Sequence, residues 1–256
     1  MTTPNDKQFN WTYSRIPDNK RPKLIEKNHK HYYRIPNNEL YPSVTTMLSA
    51  TSDNKESLER WRNNVGHQVA NYITTESAKN GTTTHQIIEE YLNNQRIGQY
   101  DPNTPSFPLS SKTSSLRSKY SISQPYSLLS KGHLSQLKPL LHNIDNIRCT
   151  EIPLYSDRLR LAGTCDCIAE YNNKLSIIDF KTSRKQKKES WILNYFLQAT
   201  AYSEMYDYLT NVKIDQIVIL ISGEDGTISE FVKETKYYSK ILDDKLLEFE
   251  KIRESI

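Results

Sequence analysis

GTCDCIAEYNNKLSIIDFKTSRK, from Gly163 to Lys185, places a glycine before one acid, Asp166, and a second acid, Asp179, two residues ahead of a lysine, Lys181. Apolar and polar residues alternate on either side of Asn172-Asn173, the two-residue period of strands. Asn-Asn tolerates the left-handed backbone that a tight turn needs. The stretch reads as a β-hairpin. In regular strands Ile177, Asp179 and Lys181 share a face, while Thr164, Asp166 and Ile168 oppose Cys165, Cys167 and Ala169. Pairing would bring Asp166 and Asp179 together. Two carboxylates at one spot repel, and a hard divalent cation relieves that repulsion. Mg2+ is typically held by one or two carboxylates plus water and substrate phosphate. Lys181 would reach the same phosphate, completing a charge set suited to phosphodiester hydrolysis. The same residues also suit a solvated strand end with an Asp–Lys pair, so the rest of the chain must decide.

Outward from this hairpin, CTEIPLYS before it and IDQIVILIS and TISEFVKET after it read as further strands, the second an apolar run suited to a buried central strand. Trp191 to Leu209 and the last residues, with Ile241, Leu242, Leu246, Phe249 and Ile252, carry helical spacing. The front half reads as helical. Ser43 begins a helix with Val44, Met47 and Leu48 on one face. Leu58, Trp61, Val65, Val69 and Tyr72 recur at helical steps over 54–78. Gly81 ends that helix, and Thr82 to Thr84 cap a new one with Ile87, Ile88, Tyr91 and Leu92 as its apolar stripe. HYYRIPNNELYPSV reads as a short hairpin turning at Asn37-Asn38. Residues 1–30 are polar and read as a flexible segment. The Ser/Pro-rich stretch at about 96–131 reads as an insertion within a single domain spanning 31–256.

Five motifs in order carry a resemblance: YPSVTTML from Tyr41, GTTTHQIIEEYL from Gly81, LKPLLHNIDNIRCTEIPLYSDRLRLAGTCDC from Leu137, IIDFKTSRK from Ile177 and NYFLQATAY from Asn194. The chain resembles PD-(D/E)XK nucleases of the RecB type, most closely the mitochondrial genome maintenance exonuclease family with its phage and bacterial relatives. The resemblance covers about residues 40–210 apart from the insertion. It implies an α/β fold of the restriction-endonuclease type, a mixed central sheet flanked by helices behind a helical front half. It also implies a Mg2+-dependent exonuclease, with Mn2+ as a substitute, acting on single-stranded DNA in replication, repair or recombination. Asp166, Asp179 and Lys181 become the catalytic set. His85, Asp166, Asp179 and the backbone carbonyl of Phe180 become metal ligands. His85 shares a helix face with Glu89 and, read near a helix start, is expected to be neutral. Glu151 is either a further ligand or a half-buried strand acid. Gln198 and Tyr202 either position DNA or Lys181, or pack. Ser43 and Thr45 either contact phosphate or cap a helix. Arg184 and Lys185 head a basic run with Lys187 and Lys188 that suits the DNA backbone. A structure-selective endonuclease and a non-catalytic nucleic-acid-binding subunit are the alternatives on the same fold.

The formal net charge of +4 is compatible with a polyanionic partner. Three cysteines without CxxC spacing argue against a disulfide framework, and four are needed for the iron–sulfur cluster of some RecB-type relatives, so no cluster is expected. No apolar run reaches the length of a membrane span. The first residues carry neither a signal core nor an Arg/Ser-rich presequence pattern. The expectation is a cytoplasmic, monomeric protein of a bacterium or phage-infected cell, since the Asn/Lys/Ile/Tyr-leaning composition suits an AT-rich genome.

Overall fold

The computed structural model describes residues 7–12, 16–27, 30–95 and 126–254. The expected insertion lies outside the described residues up to residue 125. Beyond it, Ser127 accepts a hydrogen bond from Ser130 N at 3.1 Å and caps a helix that begins at Leu128.

The hairpin from Gly163 is present and lies inside a mixed sheet of order β4-β5-β6-β7-β8. Its strands are β4 (Ile144–Ser156), β5 (Leu161–Tyr171), β6 (Lys174–Ser183), β7 (Gln216–Gly223) and β8 (Ile228–Glu234). Asn172 and Asn173 both adopt positive φ, 51° and 64°, as a tight turn between β5 and β6 requires. β6 and β7 run parallel and the other pairs antiparallel. Every residue of β7 is buried, as a strand covered on both faces should be. A smaller sheet holds β1 (Lys23–Lys27), β2 (Lys30–Arg34) and β3 (Leu40–Pro42). Asn38, at φ 71°, turns the expected β2–β3 hairpin. β1 falls within the stretch read as flexible: Leu24 pairs with Tyr33 of β2 and packs beside Tyr33, Ile35 and Tyr41, so pairing orders what composition leaves polar.

Helices α1 (Val44–Ala50), α2 (Lys55–Val65), α3 (His67–Leu92), α4 (Leu128–Leu141), α5 (Leu193–Thr210) and α6 (Ser239–Glu254) flank the sheet. One apolar core joins Val44, Phe196, Leu197 and Leu242 to Ile177, Ile217 and Ile219. The other joins Ile87, Ile88, Leu134 and Leu137 to Ile178, Phe180, Val218 and Leu220. Odd and even positions of β6 and β7 thus face different helices, as strand alternation dictates.

The front helices depart from their sequence reading at two glycines. The break falls at Gly66, whose φ is +85°, a conformation open to glycine at little cost. Gly81 lies inside α3, which continues unbroken to Leu92. One interior glycine costs about 1 kcal/mol, and burial of Ile87, Ile88, Tyr91 and Leu92 exceeds that. Thr83 therefore does not cap. Its hydroxyl donates to Lys79 O at 3.0 Å, as a mid-helix threonine does. The apolar stripe of α2 and early α3 is not core either. α2 has no buried residue, and Leu58, Val69 and Tyr72 are exposed.

His133 of α4 is buried against the sheet. Ser222 Oγ donates to Gln136 Oε1 at 2.6 Å, so it accepts from His133 Nδ1 at 2.7 Å, and His133 Nε2 is left buried without a partner. Burial holds this imidazole below its ordinary pKa, with Glu224 opposing in part. The unfolded chain therefore takes up a proton near pH 6.5 that the folded chain refuses. Stability should fall as pH drops below that value, by up to about 1.4 kcal/mol per pH unit. His133→Asn keeps the donor to Ser222 and should flatten this acid limb in melts recorded against pH. An unchanged limb would place the acid sensitivity elsewhere.

Candidate active site

The site forms where β4 and β5 both depart from regular geometry. Thr150 pairs with Cys167 and Ile152 with Cys165, which leaves Glu151 opposite Asp166. Glu151 has φ +45°, a left-handed conformation that costs a non-glycine residue roughly 1–2 kcal/mol. Across this point both strands switch faces. Cys149 and Ile152 pack in the same core, and so do Cys165 and Ile168, whereas Cys167 and Ala169 pack in the other. The regular alternation that put Cys165 and Cys167 on one face therefore fails here. Both strands carry the switch, so their register is preserved.

Pairing of β5 with β6 ends at Cys167–Ile178, one step short of Asp166 and Asp179. Asp166 uses its side chain there instead: Phe180 N donates to Asp166 Oδ2 at 2.9 Å. The two acids stand opposite each other just beyond the last paired residues, near enough for the Asp166 charge to act on Asp179. His85, from the sheet-facing part of α3, completes the cluster. Its Nδ1 lies 3.4 Å from Asp166 Oδ2 and 3.5 Å from Glu151 Oε1. One ligand atom from each of His85, Glu151 and Asp166 falls within 4.8 Å of the others, a set that could hold a metal ion. Glu151 is only 6% exposed and sits in this cluster rather than acting as an isolated strand acid.

His85 lies deep inside α3, not near its amino end, so the helix-dipole argument for a neutral ring does not apply. Burial lowers its pKa, but the carboxylates of Asp166 and Glu151 outweigh that and push it up to about 10. Phe180 also meets His85 edge-on, with ring centroids 6.5 Å apart. Asp179 stands outside this cluster and pairs with Lys181. Nζ lies 2.7 Å from Oδ1 in hydrogen-bonding geometry and 2.5 Å from Oδ2 without it, so Oδ2 has close charge but no hydrogen bond. Burial raises the Asp179 carboxyl above its ordinary range, and the Asp166 charge adds to this while Lys181 opposes it. Burial pulls the Lys181 ammonium down, but Asp179 and Asp166 overcome that and hold it protonated.

The contact of Tyr195 with Lys181 is one that sequence reasoning did not single out: Lys181 Nζ lies 5.2 Å from the Tyr195 ring centroid. The available signal was the spacing of Tyr195, Gln198 and Tyr202, which puts all three on one face of α5. Gln198 Nε2 donates to Tyr202 OH at 3.0 Å. The Tyr202 ring in turn lies against Gly163: a Cβ there would fall 2.6 Å from Tyr202 Cε1. Tyr33 OH and Thr164 Oγ1, 3.0 Å apart, tie the small sheet to the same part of β5. Ser43 caps α1, accepting from Thr46 N at 3.0 Å, and its Oγ also meets Thr45 Oγ1 at 2.9 Å. Arg184 and Lys185 are exposed on the segment leaving β6. Cys149, Cys165 and Cys167 are free and buried, and burial pushes each thiol pKa up.

A family model described as the PD-(D/E)XK nuclease superfamily matches residues 59–224. The mitochondrial genome maintenance exonuclease 1 of Homo sapiens is 26% identical over 198 residues, covering 73% of this chain and 50% of that protein. The Xenopus tropicalis protein of the same name is 27% identical over 197 residues, covering 73% and 49%. The Mus musculus protein is 26% identical over 220 residues, covering 78% and 56%. The chain spans about half the length of the curated relatives it matches. Among the described residues, no helix is long and apolar enough to cross a membrane.

Proposed function

This chain belongs to the PD-(D/E)XK nuclease superfamily, and from that premise we propose that it is a metal-dependent exodeoxyribonuclease that hydrolyses single-stranded DNA from a free end. The observation that carries this reading is the meeting of His85 with Glu151 and Asp166 at the kinked strands, beside the buried Asp179–Lys181 pair. An exonuclease role in genome replication, repair or recombination is supported by the name that the relatives share.

The donor set fits a divalent cation. His85, Glu151, Asp166 and Asp179 would hold it. Carboxylate oxygens suit Mg2+, and the imidazole makes the set equally suited to Mn2+. Asp179 Oδ2, buried without a hydrogen bond, keeps lone pairs for such an ion. The proton that Asp166 and Glu151 draw onto His85 is what the ion would displace. When bound, the cation supplies charge that offsets the negative charge building on the phosphoryl oxygens.

The chain's own residues do the rest. The Phe180 amide fixes the orientation of Asp166. Asp179 holds Lys181 charged and in place. The ammonium donates to a non-bridging phosphate oxygen and meets the charge that develops there. The part of α3 that carries His85 covers one face of the sheet, which favours a flexible strand entering from its end over a stiff duplex.

End-labelled linear single strands, circular single strands and blunt duplexes, each incubated with Mg2+, Mn2+ or chelator, test the proposal. Linear single strands should be shortened from an end with either metal and stay intact in chelator, and circles should persist. Rapid cutting of circles would replace this reading with the endonuclease alternative. Binding without cleavage in any metal would replace it with a non-catalytic one.

A further inference from the structure

We infer that the cleft at the exit of the catalytic strand is a subsite for a nucleobase of single-stranded DNA, with Trp191 as stacking platform and Lys188 as its cation. This rests on the nuclease reading above and adds a residue that positions the strand. The chain leaves β6 at Ser183 and passes Arg184, Lys185, Lys187 and Lys188 before the turn Glu189–Trp191 delivers it to α5. That segment and the edge strand β8 wall a cleft of about 470 Å³. Trp191 is 63% exposed at its rim, although the next residue, Ile192, is buried. Lys188 Nζ lies 5.4 Å from the Trp191 ring centroid. A large ring left in water beneath a cation is what base stacking on a polyanionic strand uses.

The acids that line the cleft are engaged elsewhere. Glu189 Oε1 lies 2.8 Å from Lys233 Nζ. Glu230 Oε1 accepts from Tyr171 OH at 2.6 Å. Lys187 and Lys188 thus line the cleft beside one acid that is ion-paired and one that is hydrogen-bonded. Along the chain the cleft lies close to the catalytic lysine: Tyr195, against whose ring Lys181 lies, is four residues past Trp191, in the first turn of α5. A strand whose phosphate is held at Lys181 and which continues along the exit of β6 meets the basic run and then the indole.

Binding of a fluorescent oligo-dT in chelator, where no cleavage interferes, tests this. Trp191→Ala should weaken binding roughly tenfold and Trp191→Phe by less, since a phenyl ring still stacks. An abasic oligonucleotide of the same length should bind Trp191→Ala and the parent alike. Lys188→Gln should reduce the slope of log affinity against log salt by about 0.7 for one lost phosphate contact. In turnover with linear single strands, the Trp191→Ala loss should fall on KM. Equal oligo-dT affinity in Trp191→Ala and the parent would overturn the subsite while leaving the nuclease reading intact. Equal losses toward oligo-dT and abasic DNA would overturn it as well, making Trp191 a residue that only shapes the loop. A parent protein that cleaves no DNA in any metal would instead remove the nuclease reading.

Discussion

Asp179→Asn folds as the parent does and loses DNA cleavage by roughly a thousandfold. This is the first expected result, and it follows from where the carboxylate sits. Asp179 is 1% exposed, lies within the buried run of β6 and pairs with Lys181. Asparagine keeps the volume and an acceptor for Lys181 Nζ, so packing survives. The charge is gone, however, and with it the group that in the proposed mechanism holds the ammonium at the phosphate and would contribute to a cation site. Single-turnover cleavage of end-labelled single-stranded DNA at saturating Mg2+, beside a thermal melt of the same sample, separates the two properties. A folded Asp179→Asn protein that cleaves near the parent rate would remove Asp179 from the catalytic set. A protein that no longer melts cooperatively would show that the buried pair holds the fold, not the chemistry.

The second large effect is expected at Gly163, three residues before Asp166. Its φ does not lie in the left-handed region, so glycine is required here by space alone. A Cβ would lie 2.6 Å from Tyr202 Cε1 and 2.9 Å from Tyr202 OH. The ring cannot yield cheaply, since it is buried in the core beside Phe196 and Met205 and bonded to Gln198. Forcing one methyl into such a contact costs about 1–3 kcal/mol. The shift would pass along β5 to Thr164 and Asp166, so cleavage should fall more than stability does. Tyr202→Ala removes the clash at the cost of a cavity. The two losses should therefore not add in Gly163→Ala/Tyr202→Ala, with a coupling of about 1 kcal/mol or more in denaturant unfolding. Strictly additive losses would mean that Gly163 and Tyr202 do not constrain each other.

This contact gives the G-T-x-D and Q-x-x-x-Y patterns a shared physical basis. The glycine admits the tyrosine ring, the ring packs against this part of β5, and the strand carries Asp166 on to the amide of Phe180. Neither pattern discloses the other when read alone, because their residues are far apart in sequence and meet only across the face of the sheet.

The sequence by itself determined several features that rest on local preference and period. The asparagine turns at Asn38 and Asn172-Asn173, the cap at Ser43, the strand runs on either side of Asp166 and Asp179, and the helical spacing from Leu193 to Thr210 are written in neighbouring residues. Each could be read because turn conformation, capping and amphipathic period act over a few residues. The pairing of Lys181 with Asp179, two residues away on one strand face, belongs to the same class. Tertiary structure alone decided which of two glycines breaks the front helices. Gly66 and Gly81 look alike in sequence, and only the burial of Ile87, Ile88 and Leu92 beneath the second carries α3 through it. Tertiary structure also left Leu58, Val69 and Tyr72 exposed, since helical spacing states which residues share a face and not whether anything packs on it. Above all, it decided the kink at Glu151. A left-handed glutamate has no local signature. It persists because two paired strands switch faces together and keep their register, and that switch brings Glu151, Asp166 and the imidazole of His85 from a distant helix to one place.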